Sequence, residues 1–276
     1  MNKLHLSFSV CCLLIVGSCK KTQVDNETTS STDFALISQE FMQILPAINE
    51  RAVAEKGLYK LGNPGNSPFS VCLIDSLSGD TTHDNQGTFT NTINLPVMWL
   101  QYSNCTGTDG KLRNGTIKVS FTKKYNVIGS LATATLVNYS VNGVSCQGTI
   151  TSTRNSANAF TCNVVNGVFT NGSWTSKYSC STIVTLFDNG TPSNISDDYV
   201  QVLGNANGTN RESRNYDVTI SESVKKRTDC SWISQGIVRL TPTGLHTRTI
   251  DFGNGTCDDV AAFVIDSQTF TIHMSK

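Results

Sequence analysis

The sequence has few charged residues and no excess of either sign. Lysine and arginine together number 21, aspartate and glutamate also number 21, and charged residues make up 15% of the 276 positions. A chain without net charge has no long-range field that would draw it to nucleic acid or to anionic lipid. We therefore expect no nucleic-acid partner.

Motifs of catalysis and of metal binding are also missing from the sequence. The histidines beyond residue 18 are His83, His246 and His273, each isolated and outside a GxSxG or HExxH context. The cysteines form no CxxC pair and have no histidine at zinc-ligand spacing. The sequence therefore predicts no catalytic residue, no metal site and no cofactor, and it favours a protein that is not an enzyme.

The first 19 residues have the pattern of a lipoprotein signal peptide. Lys3 gives a positive start, the run Leu4 to Val16 is mostly apolar, and Gly17-Ser18-Cys19 completes a lipobox. Small residues before the cysteine fit the signal peptidase, and the Cys19 thiol accepts diacylglycerol. The apolar run is shorter than the roughly 20 residues that cross a bilayer core. We expect residues 1–18 to be removed and lipid on Cys19 to anchor the chain; an ordinary soluble secretory signal is the alternative.

Two segments precede the β-rich part of the chain. Residues 19–32 are polar and lack apolar periodicity, which is typical of a flexible tether. Residues 33–60 are predicted to contain an amphipathic helix that packs on a sheet, because apolar side chains recur every three or four positions. Pro46 is expected to kink or split this helix. The apolar side chains are Phe34, Ile37, Phe41, Ile44, Leu45 and Ile48.

Residues 61–276 have the pattern of an antiparallel β domain. Short runs rich in Val, Ile, Thr, Tyr and Phe are separated by Asn-Gly or Asp-Gly pairs, which accept the positive φ of tight hairpin turns. No helical pattern long enough for a parallel crossover follows residue 60. The sequence predicts a mainly β fold, an antiparallel meander of hairpins in a large twisted sheet, a sandwich or a half-barrel, with one N-terminal amphipathic helix. The eight pairs begin at Asp109, Asn114, Asn142, Asn166, Asn171, Asn189, Asn207 and Asn254.

Seven cysteines follow Cys19 at the wide spacings that are typical of disulfides in an oxidising compartment. Two similar stretches, Leu100 to Cys105 and Ile250 to Cys257, each suggest a strand that returns beside an earlier cysteine. The preferred pairs are Cys72 with Cys105 and Cys230 with Cys257. Cys162 and Cys180 are expected to face each other across a hairpin, which leaves Cys146 free, and a neighbouring position of Cys146 and Cys162 is the open alternative.

Tryptophans and aspartates supply the alternatives for function. Trp174 and Trp232, if exposed on a sheet, form platforms for sugar rings, whereas Trp99 lies in an apolar run and is expected to be buried. Paired carboxylates can act as the acid and base of a glycan hydrolase or can bind calcium, although aspartate beside glycine or asparagine is ordinary turn chemistry. The aspartates concerned are Asp109, Asp197, Asp198, Asp251, Asp258 and Asp259.

Two parts of the chain carry the residues of a family resemblance. The first comprises Cys105 to Ser120, Asn138-Tyr139-Ser140-Val141-Asn142 and Gly148-Thr149. The second comprises Gly208-Thr209-Asn210-Arg211, Cys230-Ser231-Trp232-Ile233, Gly236-Ile237-Val238 and Thr247 to Asp259. These residues resemble a family of uncharacterised, β-rich cell-envelope lipoproteins of Bacteroidota. The resemblance covers roughly Phe34 to the C-terminus and departs at Val260 and around Cys146 and Cys162. It implies a cell-envelope lipoprotein and brings no activity with it.

The sequence thus predicts a lipid-anchored protein of the outer membrane, on its periplasmic side or at the cell surface. The leading interpretation is a non-catalytic structural or binding module whose partner is a glycan, peptidoglycan or another envelope protein. One alternative is a lipid-carrier-like half-barrel plugged by the helix, which requires an apolar inner face around a cavity. The other is a glycan hydrolase, which requires two aspartates within about 5–10 Å of each other in a cleft.

Overall fold

The computed structural model describes residues 25–54, 72–107, 109–191 and 197–274. Within these ranges the chain forms one α-helix followed by 13 β-strands, which pair in chain order into one antiparallel sheet. The sheet is open, with β1 and β13 as its edges, so the predicted mainly β meander is confirmed as one large sheet. The elements are α1 (Thr29–Ala54), β1 (Ile74–Ser78), β2 (Val97–Thr106), β3 (Leu112–Phe121), β4 (Leu131–Val141), β5 (Val144–Arg154), β6 (Ala159–Thr170), β7 (Thr175–Phe187), β8 (Tyr199–Thr209), β9 (Asn215–Arg227), β10 (Gln235–Pro242), β11 (Arg248–Asn254), β12 (Val260–Ile265) and β13 (Gln268–His273).

The two faces of the sheet differ because side chains alternate along each strand. In β4, Ala132, Ala134 and Leu136 point inward and are buried, whereas Thr133 and Thr135 point outward. The same alternation continues through the long strands. The apolar side chains therefore cover the helix on the inner face, and the hydroxyl-rich positions face solvent.

A line of residues with positive φ crosses the sheet from β2 to β6 and bends it. A Cβ atom on Gly115 would lie 2.2 Å from the carbonyl oxygen of Asn138 on the neighbouring strand, so only glycine fits there. The pairing register shifts beside each member of the line, and such bulges bend a strand and increase its twist. The members are Asn104 (φ 45°), Gly115 (93°), Asn138 (49°), Gly148 (141°) and Asn166 (53°).

These bulges correct part of the turn prediction. Four of the eight Asn-Gly and Asp-Gly pairs lie in connections between strands, as expected, and the pair at Asn254 begins on the last residue of β11. The pairs that begin at Asn114, Asn166 and Asn207 instead lie inside β3, β6 and β8, so their prediction as hairpin turns is wrong. Asn114-Gly115 and Asn166-Gly167 lie at bulges, where positive φ is accepted as it is in a tight turn. Asn207-Gly208 lies in a regularly paired stretch of strand, so the dipeptide alone does not identify a turn.

The helix lies in the concave face of the sheet, and strands from one edge to the other contact it. Asp75 of β1 accepts a hydrogen bond from Arg51 (Nη1–Oδ1 3.2 Å), and β7, β8 and β13 also contact α1. Polar helix residues such as Ser38 and Gln39 are fully buried. The helix is therefore surrounded by protein, whereas the sequence pattern predicted an amphipathic helix with one buried face.

The N-terminal boundaries differ from the predicted ones. The helix begins at Thr29 and runs without interruption through Pro46, so of the two outcomes expected at Pro46, a kink or a split, the split is wrong. Packing on several sides holds the helix together despite the missing amide at Pro46. Residues 25–32 are bound to the sheet and do not belong to the predicted 19–32 tether, because Asp25 is buried against it. The predicted signal peptide, Cys19, residues 19–24 and residues 55–60 of the predicted helix lie outside the described residues.

Both preferred disulfides are present in the structure. Cys72 and Cys105 are bonded with a Cα–Cα distance of 5.5 Å, and Cys230 and Cys257 with one of 5.7 Å. The predicted pairing of Cys162 with Cys180 is wrong, since both are free, as is Cys146. The register explains this outcome: Cys162 lies opposite Thr182, and Cys180 lies opposite Val164, so the two thiols are not directly opposed.

Candidate functional site

A polar groove of about 640 Å³ lies on the outer face of strands β6 to β9. The outward positions of four adjacent strands supply its side chains, and Thr243 closes it beyond the end of β10. Most of these side chains carry an amide, a hydroxyl or a charge. They are Asn166, Val168, Lys177, Ser179, Asn207, Thr209, Asn215, Asp217 and Thr243.

The strand register arranges the groove side chains in two rows. In one row, Lys177 lies opposite Thr209, which in turn lies opposite Asn215. In the other row, Asn207 lies between Ser179 and Asp217. Directly opposed residues have Cβ atoms roughly 4.5–5.5 Å apart, so the rows form a closely spaced polar surface.

The groove side chains offer both donors and acceptors to a ligand. The Thr209 hydroxyl donates to the amide oxygen of Asn215 (2.8 Å), which orients that amide and leaves its NH2 group as a donor. Asn207 adds a second amide, Lys177 a cation and Asp217 an acceptor on the opposite side. Such an arrangement suits a ligand with several hydroxyl groups, each of which both donates and accepts.

The floor of the groove is supported from the inner face by alternating glycine and tyrosine residues. Gly167 lies opposite Tyr178, and Gly208 pairs with Tyr178 on one side and Tyr216 on the other. A Cβ atom on Gly208 would lie 2.4 Å from the Tyr216 hydroxyl, so the tyrosine occupies the space that glycine leaves. Aromatic rings that cover glycines in this way stabilise a strongly bent sheet.

The helix packs on this floor through Phe41. Its ring stacks on that of Tyr178, with centroids 5.4 Å apart, and meets Phe169 edge-on at 5.5 Å. The ring also lies 3.1 Å from the position that a Cβ atom of Gly167 would take. The groove is therefore built on the part of the sheet that packs against the helix.

Deeper on the inner face, Glu40 of the helix forms a buried ion pair with Arg113 of β3. The Arg113 guanidinium lies 3.1 Å from Glu40 and 2.6 Å from Asp109, and Tyr139 donates to Glu40 at 2.7 Å. Burial raises the pKa of Glu40, but Arg113 and Lys111 lower it further, so that the net pKa falls below its ordinary value. The cluster attaches the helix to the sheet as a satisfied network of charges.

The candidate aspartates for paired catalysis lie outside the groove, and only neighbours in sequence such as Asp197 and Asp198 stay close together. Asp109 is held in the buried cluster with Arg113. Asp197 accepts the Thr191 hydroxyl (2.7 Å), and neighbouring Asp198 has its pKa raised to about 7, mainly by burial and then by the charge of Asp197. Asp251 and Asp258 accept backbone amides two residues further on, and Asp259 pairs with His273 at 3.2 Å. Among the described residues, no group of three or more His, Cys, Asp or Glu side chains is placed to hold a metal ion.

The tryptophans lie elsewhere than the groove. Trp174 and Trp232 are half-buried against the core, and neither lines the groove. The Arg211 guanidinium lies 4.3 Å from the centre of the Trp174 ring and covers one of its faces. The prediction that Trp99 is buried is wrong, because it is half-exposed on the outer face, where its indole N–H donates to Ser78 (3.0 Å).

The sequence contains a signal for the groove that the prediction of hairpin turns did not use. Lys177 and Ser179, Asn207 and Thr209, and Asn215 and Asp217 are three polar pairs at spacing two on consecutive strands. Each pair points to the same face as the others once the strands are paired in order. Reading the alternation across strands, rather than along one strand, would have grouped them.

Comparisons with known proteins identified no family and no relative of this chain. Searches against protein-family models, curated proteins and solved structures found no match. The groove is therefore interpreted from its own geometry and chemistry.

Proposed function

We propose that this protein is a lipid-anchored, non-catalytic binding module of the cell envelope, and that the groove on β6 to β9 binds a glycan. The observation that carries the proposal is the paired polar surface of Lys177, Asn207, Asn215 and Asp217, built on a floor that the helix holds. Amide and carboxylate side chains in fixed positions recognise sugar hydroxyls through pairs of hydrogen bonds.

Features away from the groove support the envelope location. The disulfides Cys72–Cys105 and Cys230–Cys257 are stable in an oxidising compartment. The lipobox at Cys19 predicts an acyl anchor, and the resemblance to Bacteroidota envelope lipoproteins favours the outer membrane, on its periplasmic side or at the surface. Within the described ranges, no helix combines the length and the apolar character needed to span a bilayer.

Binding is favoured over hydrolysis by the charges at the groove. A glycosidase generally places two carboxyl groups on either side of the bond that it cleaves. Asp217 is the carboxylate among the described residues that line the groove, and the other acidic candidates lie in separate clusters. We therefore assign recognition of sugar hydroxyls to the groove.

The lipid-carrier alternative also places the helix in the concave face of the sheet, as observed. A lipid could occupy that face only if the helix left it. Departure of the helix would expose the buried side chains of Phe34, Ile37 and Ile44 to water, which costs about 1.5–3 kcal/mol for each. The helix is thus better explained as a permanent part of the core.

The test uses the mature chain with Cys19→Ser, which stays in solution. We expect it to co-sediment with peptidoglycan or to bind capsular glycan in titration calorimetry. Asn207→Ala and Asp217→Ala each remove one or two hydrogen bonds and should weaken binding about tenfold. Thr135→Ala, on the outer face of β4 and away from the groove, is the matched control. Retention by neither glycan, or equal affinity of the groove and control variants, would contradict the proposal. Mass spectrometry of the membrane-extracted protein tests the lipid on Cys19 separately.

A further inference from the structure

The chain that follows the predicted lipid site is fixed to one end of the sheet. The carboxylate of Asp25 accepts hydrogen bonds from both terminal nitrogens of Arg248 (2.9 and 2.8 Å) and from the amide of His246 (3.0 Å). Arg248 is fully buried and also lies 3.1 Å from Glu27. Charge-assisted bonds of this kind hold a segment firmly. The chain therefore enters the described fold beside the β10–β11 turn.

The start of the helix is held at the same end by the β8–β9 turn. Asn210 donates its amide to Glu27 (3.1 Å), and Arg211 donates to Asp33 from its backbone amide (2.7 Å) and from Nε (2.6 Å). The β8–β9 and β10–β11 turns and the entry point of the chain thus form one end of the sheet, which we call the entry end.

The groove lies next to the entry end. Thr243, which closes the groove, stands three residues before His246 and donates its amide to the carbonyl of Asn215 (2.8 Å). Three residues span at most about 11 Å, so the groove and the entry point of the chain are close neighbours.

The length of chain before Asp25 decides which end of the sheet is near the lipid. Cys19 precedes Asp25 by six residues, which reach at most about 22 Å when fully extended. The 12 residues of β6 alone extend about 40 Å from one end of the sheet to the other. A lipid on Cys19 therefore allows the entry end to lie near the bilayer. If the opposite end of the sheet faced the bilayer, the chain between Asp25 and Cys19 would be too short for the lipid to reach the membrane.

We propose that the entry end faces the membrane, so that the groove opens at the bilayer surface and binds the sugar headgroup of a glycolipid in the same leaflet. This inference rests on the proposed lipid anchor and glycan site, and it names the source of the sugar. A headgroup attached to the same membrane is presented to the groove at high effective concentration. Lys177 adds a cation that suits the anionic groups of such headgroups.

The orientation is tested with the mature chain coupled through Cys19 to a maleimide lipid in phosphatidylcholine vesicles. A fluorophore is placed on an unnatural amino acid at Ser173, in the β6–β7 turn at the entry end, or at Ala157, in the β5–β6 turn at the opposite end. Energy transfer to a headgroup-labelled lipid should be clearly stronger from Ser173. Equal transfer, or stronger transfer from Ala157, would overturn the orientation. A long Gly/Ser insertion after Cys19 is the control and should abolish the difference.

The source of the sugar is tested by vesicle flotation of the Cys19→Ser chain. We expect it to float with phosphatidylcholine vesicles that contain rough lipopolysaccharide and not with phosphatidylcholine alone. Asp217→Ala should reduce flotation about tenfold, and Thr135→Ala should leave it unchanged. No flotation with the lipopolysaccharide vesicles would overturn the inference. If peptidoglycan or capsular glycan is bound but the vesicles are not, the glycan site stands and only the membrane source fails. Chemical coupling makes the orientation test independent of lipidation in the cell.

Discussion

Removal of Arg113 should destabilise the protein strongly, because two buried carboxylates depend on it. The side chains of Arg113 and Glu40 are each only 4% exposed, and Asp109 is 7% exposed. Breaking a buried pair by removing one partner costs about 3–5 kcal/mol, so we expect Arg113→Met to lower the free energy of unfolding by that amount. Glu40→Gln should cost less, about 1–3 kcal/mol, since Arg113 keeps its contact with Asp109.

The double variant separates a specific pair from general damage to the core. Arg113→Met alone leaves the charges of Glu40 and Asp109 uncompensated, whereas the double variant Glu40→Gln/Arg113→Met leaves only that of Asp109. The loss of stability in the double variant should therefore be smaller than the sum of the two single losses by at least about 1.5 kcal/mol. Urea unfolding followed by tryptophan fluorescence measures these values, provided that the denaturant slope stays constant. The exposed pair Arg227 and Asp229 is the control, and its coupling should be below about 1 kcal/mol.

The pH dependence of Arg113→Met gives a second readout of the same reasoning. Without the guanidinium, burial dominates, and the pKa of Glu40 should rise above its ordinary value of 4.5. The folded variant would then bind a proton that the unfolded chain has lost, so its stability should fall as pH rises above 4.5. Additive costs in the cycle, or a deficit that does not change with pH, would refute the assignment of Glu40 and Arg113 as a coupled buried pair.

Four further predictions concern other parts of the fold. Burial lowers the pKa of Lys226 from 10.5 to about 7. Between these pH values the unfolded chain binds a proton that the folded chain does not, so the free energy of unfolding should rise with pH. Urea titrations at several pH values should show this slope, and Lys226→Met should remove it. Phe41→Ala should cost about 3–5 kcal/mol in the same assay and weaken glycan binding, whereas unchanged binding would show that the groove does not depend on the helix. Gly208→Val should disrupt folding or shift Tyr216, visible as lost near-UV dichroism, because its Cβ atom would lie 2.3 Å from the carbonyl oxygen of Lys177. Cys72→Ala/Cys105→Ser should lower the free energy of unfolding by about 3–4 kcal/mol, and an unchanged urea midpoint would contradict this.

Much of the architecture could be predicted from local patterns. Alternation along the strands and the turn pairs at Asp109 and Asn142 report short-range geometry, and they predicted the meander correctly. The disulfides followed from where strands return in the chain. Each of these features depends on residues that are neighbours in sequence or on adjacent strands.

Features that depend on distant residues could not be predicted. The curvature of the sheet depends on Gly115 and its equivalents lying beside one another, which only the register decides. Glu40 can be buried because it pairs with Arg113, which lies 73 residues away in the sequence. Cys162 and Cys180 miss each other by a register offset that their spacing does not reveal. The groove belongs to the same class, since its side chains meet only when four strands pair.

The lengths of the strands also bear on how the protein behaves when many copies share a membrane. The inner strands β2 to β9 are 10 to 13 residues long, whereas the edge strands β1 and β13 have 5 and 6 residues. An exposed edge is a template for pairing with another molecule, and a short edge limits the number of hydrogen bonds that such pairing can form. Tapering from long central strands to short outer ones should therefore keep crowded molecules from aggregating side by side.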